Sequence, residues 1–485
     1  MQELTHDDSF RLGRLRLIRL PPAFVSLPLA QKQPVAVPVE LAVAVTDDYG
    51  TDLEFDSLDL KLELVTSNTL EPPAGISLSL DGSSRAPKPN NAVSFTFSPA
   101  RGPFHPLKLV LSFAPPSLPG AQPPEPLGFR LSAVSDSSAA PASTSTAATA
   151  RIRSLIGEER QVETETWDGK RYVMLPVASG AMEVKLEGKE ARVAAEKVQT
   201  TLRTIHLPPP VVDNTHLSES ISSPPPLPAQ VTIVERPGLN NSTGQRLWDC
   251  AVGLSAYLSL NPSALDPSHP LSAPAAPSSS SLDSPPAAKK SRTLAPDQAT
   301  KRPRLRIVEL GAGCALASMT AWRLSSADAG AGTSVAATDV ETTVESTLVE
   351  NLRANGCGME EEAGGVEAKV LEWGALSAEQ VDKALQSGDA GTRRGAKGNG
   401  ETALTLLGAD ILYNPSSHDV LLSTLLSFLR RPASTNSAEK IFARALIAYK
   451  RRTEGDDAFF DLARKGGLEV DKVWEWGEVS VWSFV

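Results

Sequence analysis

The run Val308-Glu309-Leu310-Gly311-Ala312-Gly313-Cys314-Ala315-Leu316 carries an apolar stretch into a glycine pair and then into a helical pattern. Glycines let a backbone pass close beneath a ligand, and a helix start offers it unpaired N–H groups. Such a turn suits a pyrophosphate or the amino-acid end of a cofactor. A dinucleotide-binding turn would need a third glycine three residues after Gly313; Leu316 stands there, which disfavours NAD and FAD. Further on, Asp339 ends the apolar run SVAATD, where an acid can accept both hydrogens of a ribose diol. Gly408-Ala409-Asp410-Ile411-Leu412-Tyr413-Asn414 ends another, with Asp410 and Tyr413 three residues apart before the bend expected at Asn414-Pro415. Neither a Ser/His/Asp triad nor a paired-carboxylate spacing competes with these groups.

The elements needed to position them are legible from residue 304 onward. LRIVEL reads as a strand, ALASMTAWRLS as a helix, SVAATDV as a strand and VESTLVENLRANG as a helix with a glycine cap. VEAKVLEW, ALTLLGADILY and ARALIAYK supply further strands, and SHDVLLSTLLSFLRR and DDAFFDLARKGG further helices. LEVDKVWEWGEVSVWSFV closes the chain as two strands. Such alternation builds a mostly parallel sheet covered by helices on both faces, a doubly wound α/β fold. Upstream, Thr243-Gly244-Gln245-Arg246-Leu247-Trp248-Asp249 opens a helix running through GLSAYLSL.

Taken together, the segments TGQRLWD, ELGAG, TD, EWG and ADILYN resemble family 16 of the seven-strand (class I) S-adenosylmethionine-dependent methyltransferases, the lysine methyltransferase-like group. The resemblance spans residues 231–485 apart from a low-complexity insert. It implies a cofactor site in which Trp248 forms one wall, Gly311 and Gly313 lie beneath the methionine portion, and Glu309 of the same turn also binds the cofactor. It further implies that Asp339 binds the ribose hydroxyls, Trp373 packs beside the adenine and Ala409 lines the pocket. Asp410 and Tyr413 are implied to be catalytic and to face the acceptor amine, with Asn414 near the rim. Ala315 is a departure, since relatives often carry glycine there. The activity implied is methyl transfer to a protein side-chain amine, lysine above all. A small-molecule N-methyltransferase and a non-catalytic scaffold that keeps the fold are the alternatives.

The rest of the chain is read from composition. Residues 1–133 alternate apolar and polar residues between proline and glycine turns, the mark of a small β-domain, and 134–150 read as a flexible linker. Residues 151–261 are a β-rich segment leading into the first helix of the 304–485 core, with the polyproline-like SPPPLP between them. Residues 262–303 and 386–402 are low in core-forming residues and are expected to be disordered. Lys289-Lys290 and Lys301-Arg302 are spaced like a bipartite nuclear import signal, so an import receptor is a candidate partner and the location expected is cytoplasm, nucleus or both. A net charge of −10 argues against general nucleic-acid binding. Three cysteines without metal spacing argue against a disulfide scaffold or a metal site. A polar N-terminus and the lack of 18 consecutive apolar residues argue against a signal peptide and a membrane span.

Overall fold

The computed structural model describes residues 10–29, 33–67, 71–81, 90–115, 123–134, 147–156, 163–167, 170–187, 189–207, 230–236, 243–271, 304–325, 333–357, 365–385, 401–430 and 440–485. The SPPPLP segment, the clusters Lys289-Lys290 and Lys301-Arg302, and 386–400 lie outside them.

The N-terminal part is a β-sandwich. Phe10–Arg19, Val35–Thr46, Ile76–Leu80, His105–Phe113, Glu163–Glu165 and Arg171–Leu175 form one sheet. Leu58–Thr66, Ala92–Phe97, Leu127–Ala133, Val177–Ser179, Thr201–His206 and Gln230–Glu235 form the other. Alternation drives it: in LDLKLELVT, Leu58, Leu60, Leu62 and Leu64 are buried while Asp59 is exposed. These leucines meet Leu15, Leu41 and Leu109 of the facing sheet in one apolar cluster. Strands from either side of residue 150 therefore share both sheets, so 1–133 and 151–235 are not separate units. Nor is 134–150 wholly a linker. Its end enters the helix Ala147–Ile156, where Thr149 is buried and accepts a hydrogen bond from Trp476 Nε1 at 3.0 Å.

The C-terminal part contains a seven-stranded sheet. Its strands are β1 (Arg304–Leu310), β2 (Ser334–Asp339), β3 (Val366–Val370), β4 (Glu401–Ala409), β5 (Lys440–Lys450), β6 (Val470–Trp476) and β7 (Val479–Phe484). The spatial order is β3-β2-β1-β4-β5-β7-β6; β1 to β5 run parallel and β7 is antiparallel to both neighbours. Successive strand residues face opposite ways, so the sheet feeds two apolar clusters. Ile307 joins α1 (Asp249–Leu260) and α2 (Leu316–Ser325). Val308 and Leu310 join α3 (Ala378–Leu385), α4 (His418–Leu429) and α5 (Ala458–Lys465). The first cluster also takes Phe10, Leu12, Val173 and Ile233 from the sandwich, so the two parts share a core.

The start of the low-complexity insert is folded. Ala264 and Leu265 are buried, Thr405 Oγ1 donates to the Leu265 carbonyl at 2.7 Å, and Arg444 Nη2 donates to the His269 carbonyl at 2.6 Å. Glu401 and Thr402, read as loop, begin β4 because they pair with Lys440 and Ile441 of β5. Among the described residues no helix is long and apolar enough to cross a membrane.

Candidate active site

Strand order changes direction between β1 and β4, and ligands of open parallel sheets bind beyond the strand ends at such a point. Leu310 pairs with Gly408, so the ELGAG turn and the Ala409-Asp410 corner leave the sheet side by side. A cavity of about 770 Å³ opens there, lined by Trp248, Gly311, Gly313, Asp339, Trp373, Ala409, Asp410 and Tyr413. Eight of the nine cofactor-binding and catalytic residues expected from the sequence thus meet in one space.

The glycine turn is shaped by its neighbours. Gly311 has φ +62°, and a Cβ there would come within 3.0 Å of Ile411 and 3.1 Å of the Trp373 indole. Gly313 has φ +50°, and a Cβ would lie 3.3 Å from the Gly244 carbonyl oxygen. The left-handed conformation and close approach both require glycine. Ala315 also sits at φ 61°, a conformation costly for alanine. The turn is tied to β2, with Ala312 N–H donating to the Thr338 carbonyl and Gly313 N–H to Asp339 Oδ2, both at 2.9 Å. Asp339 Oδ1 takes the Val340 N–H at 2.8 Å. The Thr343 side chain also hydrogen-bonds the carboxylate, which still keeps acceptor capacity for a ligand hydroxyl.

Glu309 is the exception. It is 1% exposed and turned away from the cavity, where Oε2 accepts both the N–H (2.8 Å) and the hydroxyl of Ser318. It fastens the first turn of α2 to β1 instead of lining the pocket. Burial pushes its carboxyl up to about 7, and the Ser318 bonds only partly oppose this.

Asp410 adopts φ 61°, tolerated by aspartate, while its N–H stays bonded to Ala448 at 3.0 Å. Its carboxylate is not free. Arg452 Nε donates to Oδ1 at 2.9 Å and Arg452 Nη2 donates to Oδ2. The Cys250 thiol lies 3.5 Å from Oδ1. Burial raises Asp410 to about 6, and Arg452 offsets only part of that. Tyr413 is 42% exposed at the cavity edge.

The loop carrying Arg452 is held by buried Asp456, whose Oδ2 takes the N–H groups of Arg452 (2.8 Å) and Thr453 (3.0 Å). The Arg452 guanidinium lies 4.8 Å from the Trp248 ring centre and 4.5 Å from that of Tyr49, and Tyr49 also lines the cavity. Among the described residues Arg452 Nη1 lacks a partner within hydrogen-bond geometry, and the guanidinium packs against both rings. Tyr49, Arg246 and Arg452 were not among the residues singled out from sequence. Arg452 sits in the KRR that ends β5, where its type alone suggests a solvated cation. Tyr49 comes from a turn of the sandwich, roughly 400 residues away in the chain and without a local signal.

A buried ionic network surrounds this corner. Arg14 meets Asp249 at 2.7 Å, Arg203 meets Glu235 at 2.8 Å, and Lys450 meets Asp48 at 2.9 Å and Asp249 at 3.1 Å. Burial alone would raise Asp48 and Glu235; the adjacent cations more than offset it and hold both below the usual range.

Among solved structures, EvdMO1 is 15% identical, with 37% of this chain and 36% of that one covered and a TM-score of 0.22. This chain therefore spans about a third of EvdMO1's length. A methyltransferase from Pyrococcus furiosus is 13% identical (38% and 76% covered, TM-score 0.21). The TrmK of M. capricolum, solved with S-adenosyl-homocysteine, is 11% identical (37% and 60% covered, TM-score 0.19). No curated protein matches significantly. Residues 229–387, which carry Trp248, the glycine turn, Asp339 and Trp373 but end before Asp410, match the family described as Lysine methyltransferase. Over that third of the chain the sequence is similar to this methyltransferase family.

Proposed function

We propose that the protein transfers a methyl group from S-adenosylmethionine to a side-chain amine of another protein, with lysine as the favoured acceptor. The observation that carries this reading is one cavity holding the glycine turn, Asp339 and the Asp410–Tyr413 corner together. The cavity fits the cofactor. Its volume of about 770 Å³ lies within the range of small-molecule sites, and its floor is glycine where a Cβ would intrude. The two apolar clusters on β1 support reading the sheet as doubly wound, the frame expected for this chemistry.

When bound, the cofactor supplies a methyl already activated by its sulfonium. The work left to the protein is alignment and exclusion of water. Gly311 and Gly313 admit the methionine portion and Asp339 holds the ribose hydroxyls. Trp373, packed against Gly311, forms the wall beside them. On the acceptor side, a lysine with a pKa of about 10.4 must lose a proton, at roughly 4.6 kcal/mol at pH 7. An unpaired carboxylate would oppose that loss. Asp410, already neutralised by Arg452, opposes it less, and the walls of Trp248, Tyr49 and Tyr413 desolvate the amine, which favours its neutral form. The same pairing is compatible with a small neutral amine. Calorimetry with S-adenosylmethionine tests the cofactor site. Transfer of labelled methyl into protein extract, compared with n-butylamine, tests the acceptor class. Label in the amine alone would assign a small-molecule enzyme, and cofactor binding without transfer to either would leave a scaffold.

A further inference from the structure

Among the described residues the β-sandwich reaches the cavity at a single turn. Strand Val35–Thr46 ends in Asp47-Asp48-Tyr49-Gly50, closed by Gly50 N–H to the Asp47 carbonyl at 3.3 Å with Gly50 at φ +90°. Asp48 is 4% exposed, and its oxygens take Lys450 Nζ at 2.9 Å and Arg452 Nη2 at 3.1 Å. A carboxylate so buried is tolerable only when paired, so these two cations fasten the turn to the end of β5. The turn in turn fixes Arg452, the residue bonded to Asp410.

Tyr49 is different in kind. It is 48% exposed, although its ring covers a guanidinium, and among the described residues it is the one cavity-lining residue that comes from the sandwich. It also lines a second, polar cleft of about 490 Å³ between the sandwich and the methyltransferase sheet, with Asp52, Glu54, Lys170, Arg451 and Glu478 around it. Tyr49 and Arg452 are common to both spaces, so the spaces meet at this pair. An amine small enough for the first cavity has no use for the second. A side chain carried on a polypeptide needs room for its backbone next to the cavity.

We propose that the sandwich forms half of the acceptor site. Tyr49 is a specificity-determining residue against which the acceptor polypeptide lies, and Asp48 is a positioning residue that acts through Arg452 on Asp410. The inference rests on the methyl-transfer reading of the cavity.

The test uses the full chain with Tyr49→Ala, Tyr49→Phe and Asp48→Asn. S-adenosylmethionine affinity is read by calorimetry, and labelled-methyl transfer is measured over a concentration series of protein extract and of n-butylamine. Tyr49→Ala is expected to raise the apparent KM for extract by about fivefold or more, with cofactor affinity within about twofold. Tyr49→Phe, which keeps the ring, is expected to restore the wild-type KM. Asp48→Asn is expected to lower turnover about tenfold with unchanged cofactor affinity. If Asp48→Asn fails to fold, the two Tyr49 variants decide. An unchanged KM in Tyr49→Ala overturns the proposal, as does a parallel loss of cofactor affinity, the signature of a merely structural contact. Absence of cofactor binding and of transfer in the wild type would instead overturn the methyl-transfer reading itself.

Discussion

Asp410 and Arg452 face each other across the ends of β4 and β5, and the guanidinium occupies both oxygens of the carboxylate. The acid proposed to face the acceptor is therefore already paired within the fold. Arg452 is held by Asp48 as well and stacked between Tyr49 and Trp248, so the pair is a fixed feature of the corner. Its effect is to bring a carboxylate to the cavity without leaving it a bare charge.

Asp339 offers the cleanest test of the cofactor side. Asp339→Ala removes the acceptor expected to face the ribose hydroxyls and also frees the Gly313 N–H. A charge-assisted hydrogen bond contributes roughly 1.5–3 kcal/mol, so S-adenosylmethionine affinity is expected to fall about tenfold to a hundredfold. Calorimetry measures it, and unchanged affinity would remove Asp339 from the site.

Glu309 predicts a pH dependence of stability. Its carboxyl titrates at about 7 in the fold and near the ordinary value of roughly 4.3 in the unfolded chain. Between these values the folded state keeps a proton that the unfolded state releases, so stability falls as pH rises through this window and levels off above it. The loss is on the order of 3 kcal/mol. Glu309→Gln stays neutral and can still accept from Ser318. Its gain in urea midpoint over the wild type is expected to be larger at pH 8 than at pH 5. Equal differences at both pH values would contradict the assignment.

What the sequence made legible follows from which interactions are local. Strand and helix periodicity, the glycine turn and the acid at the end of β2 are short-range signals, and each lies where its pattern indicates. Glu309 was misread because type and proximity to the turn do not reveal which sheet face a side chain takes; only its bond to Ser318 does. The sandwich was cut in two because its pairings are non-local, as in Phe10 with Arg171. Tyr49 and Asp48 were missed for the same reason. Their partners lie on a different sheet, and an Asp-Asp-Tyr-Gly turn reads by composition as a surface bend.

The insert predicts a sharp boundary. Deleting residues 273–300, a stretch poor in core-forming side chains, is expected to leave the unfolding midpoint and cofactor affinity unchanged, because loop-closure entropy varies slowly with length. Deleting 263–271 is expected to destabilise by at least about 2 kcal/mol, since buried Ala264 and Leu265 are lost along with the carbonyls that Thr405 and Arg444 bond. Thermal unfolding of the two deletions distinguishes them, and equal stability would show that the packed segment holds nothing.

The Asp410–Arg452 pair makes a prediction that a free carboxylate would not. Asparagine tolerates the left-handed conformation at position 410, so Asp410→Asn removes charge with little backbone cost. Among the described residues the guanidinium then keeps only Asp48 as its anionic partner, which leaves positive charge where the proposed acceptor ammonium would approach. Turnover on a protein acceptor is expected to fall about tenfold or more, while cofactor affinity stays within about threefold, roughly 0.7 kcal/mol. Arg452→Gln alone leaves Asp410 buried and unpaired, which is also costly. The double variant removes both charges together, so its loss is expected to be smaller than the sum of the two single losses, with a coupling of about 1 kcal/mol or more. Tyr413→Phe, at a half-exposed edge and without a charge change, is expected to cost less than Asp410→Asn. Initial rates of labelled-methyl transfer for the four members of the cycle measure the coupling. Additive losses, or full activity in Asp410→Asn on protein extract, would place the acceptor channel elsewhere.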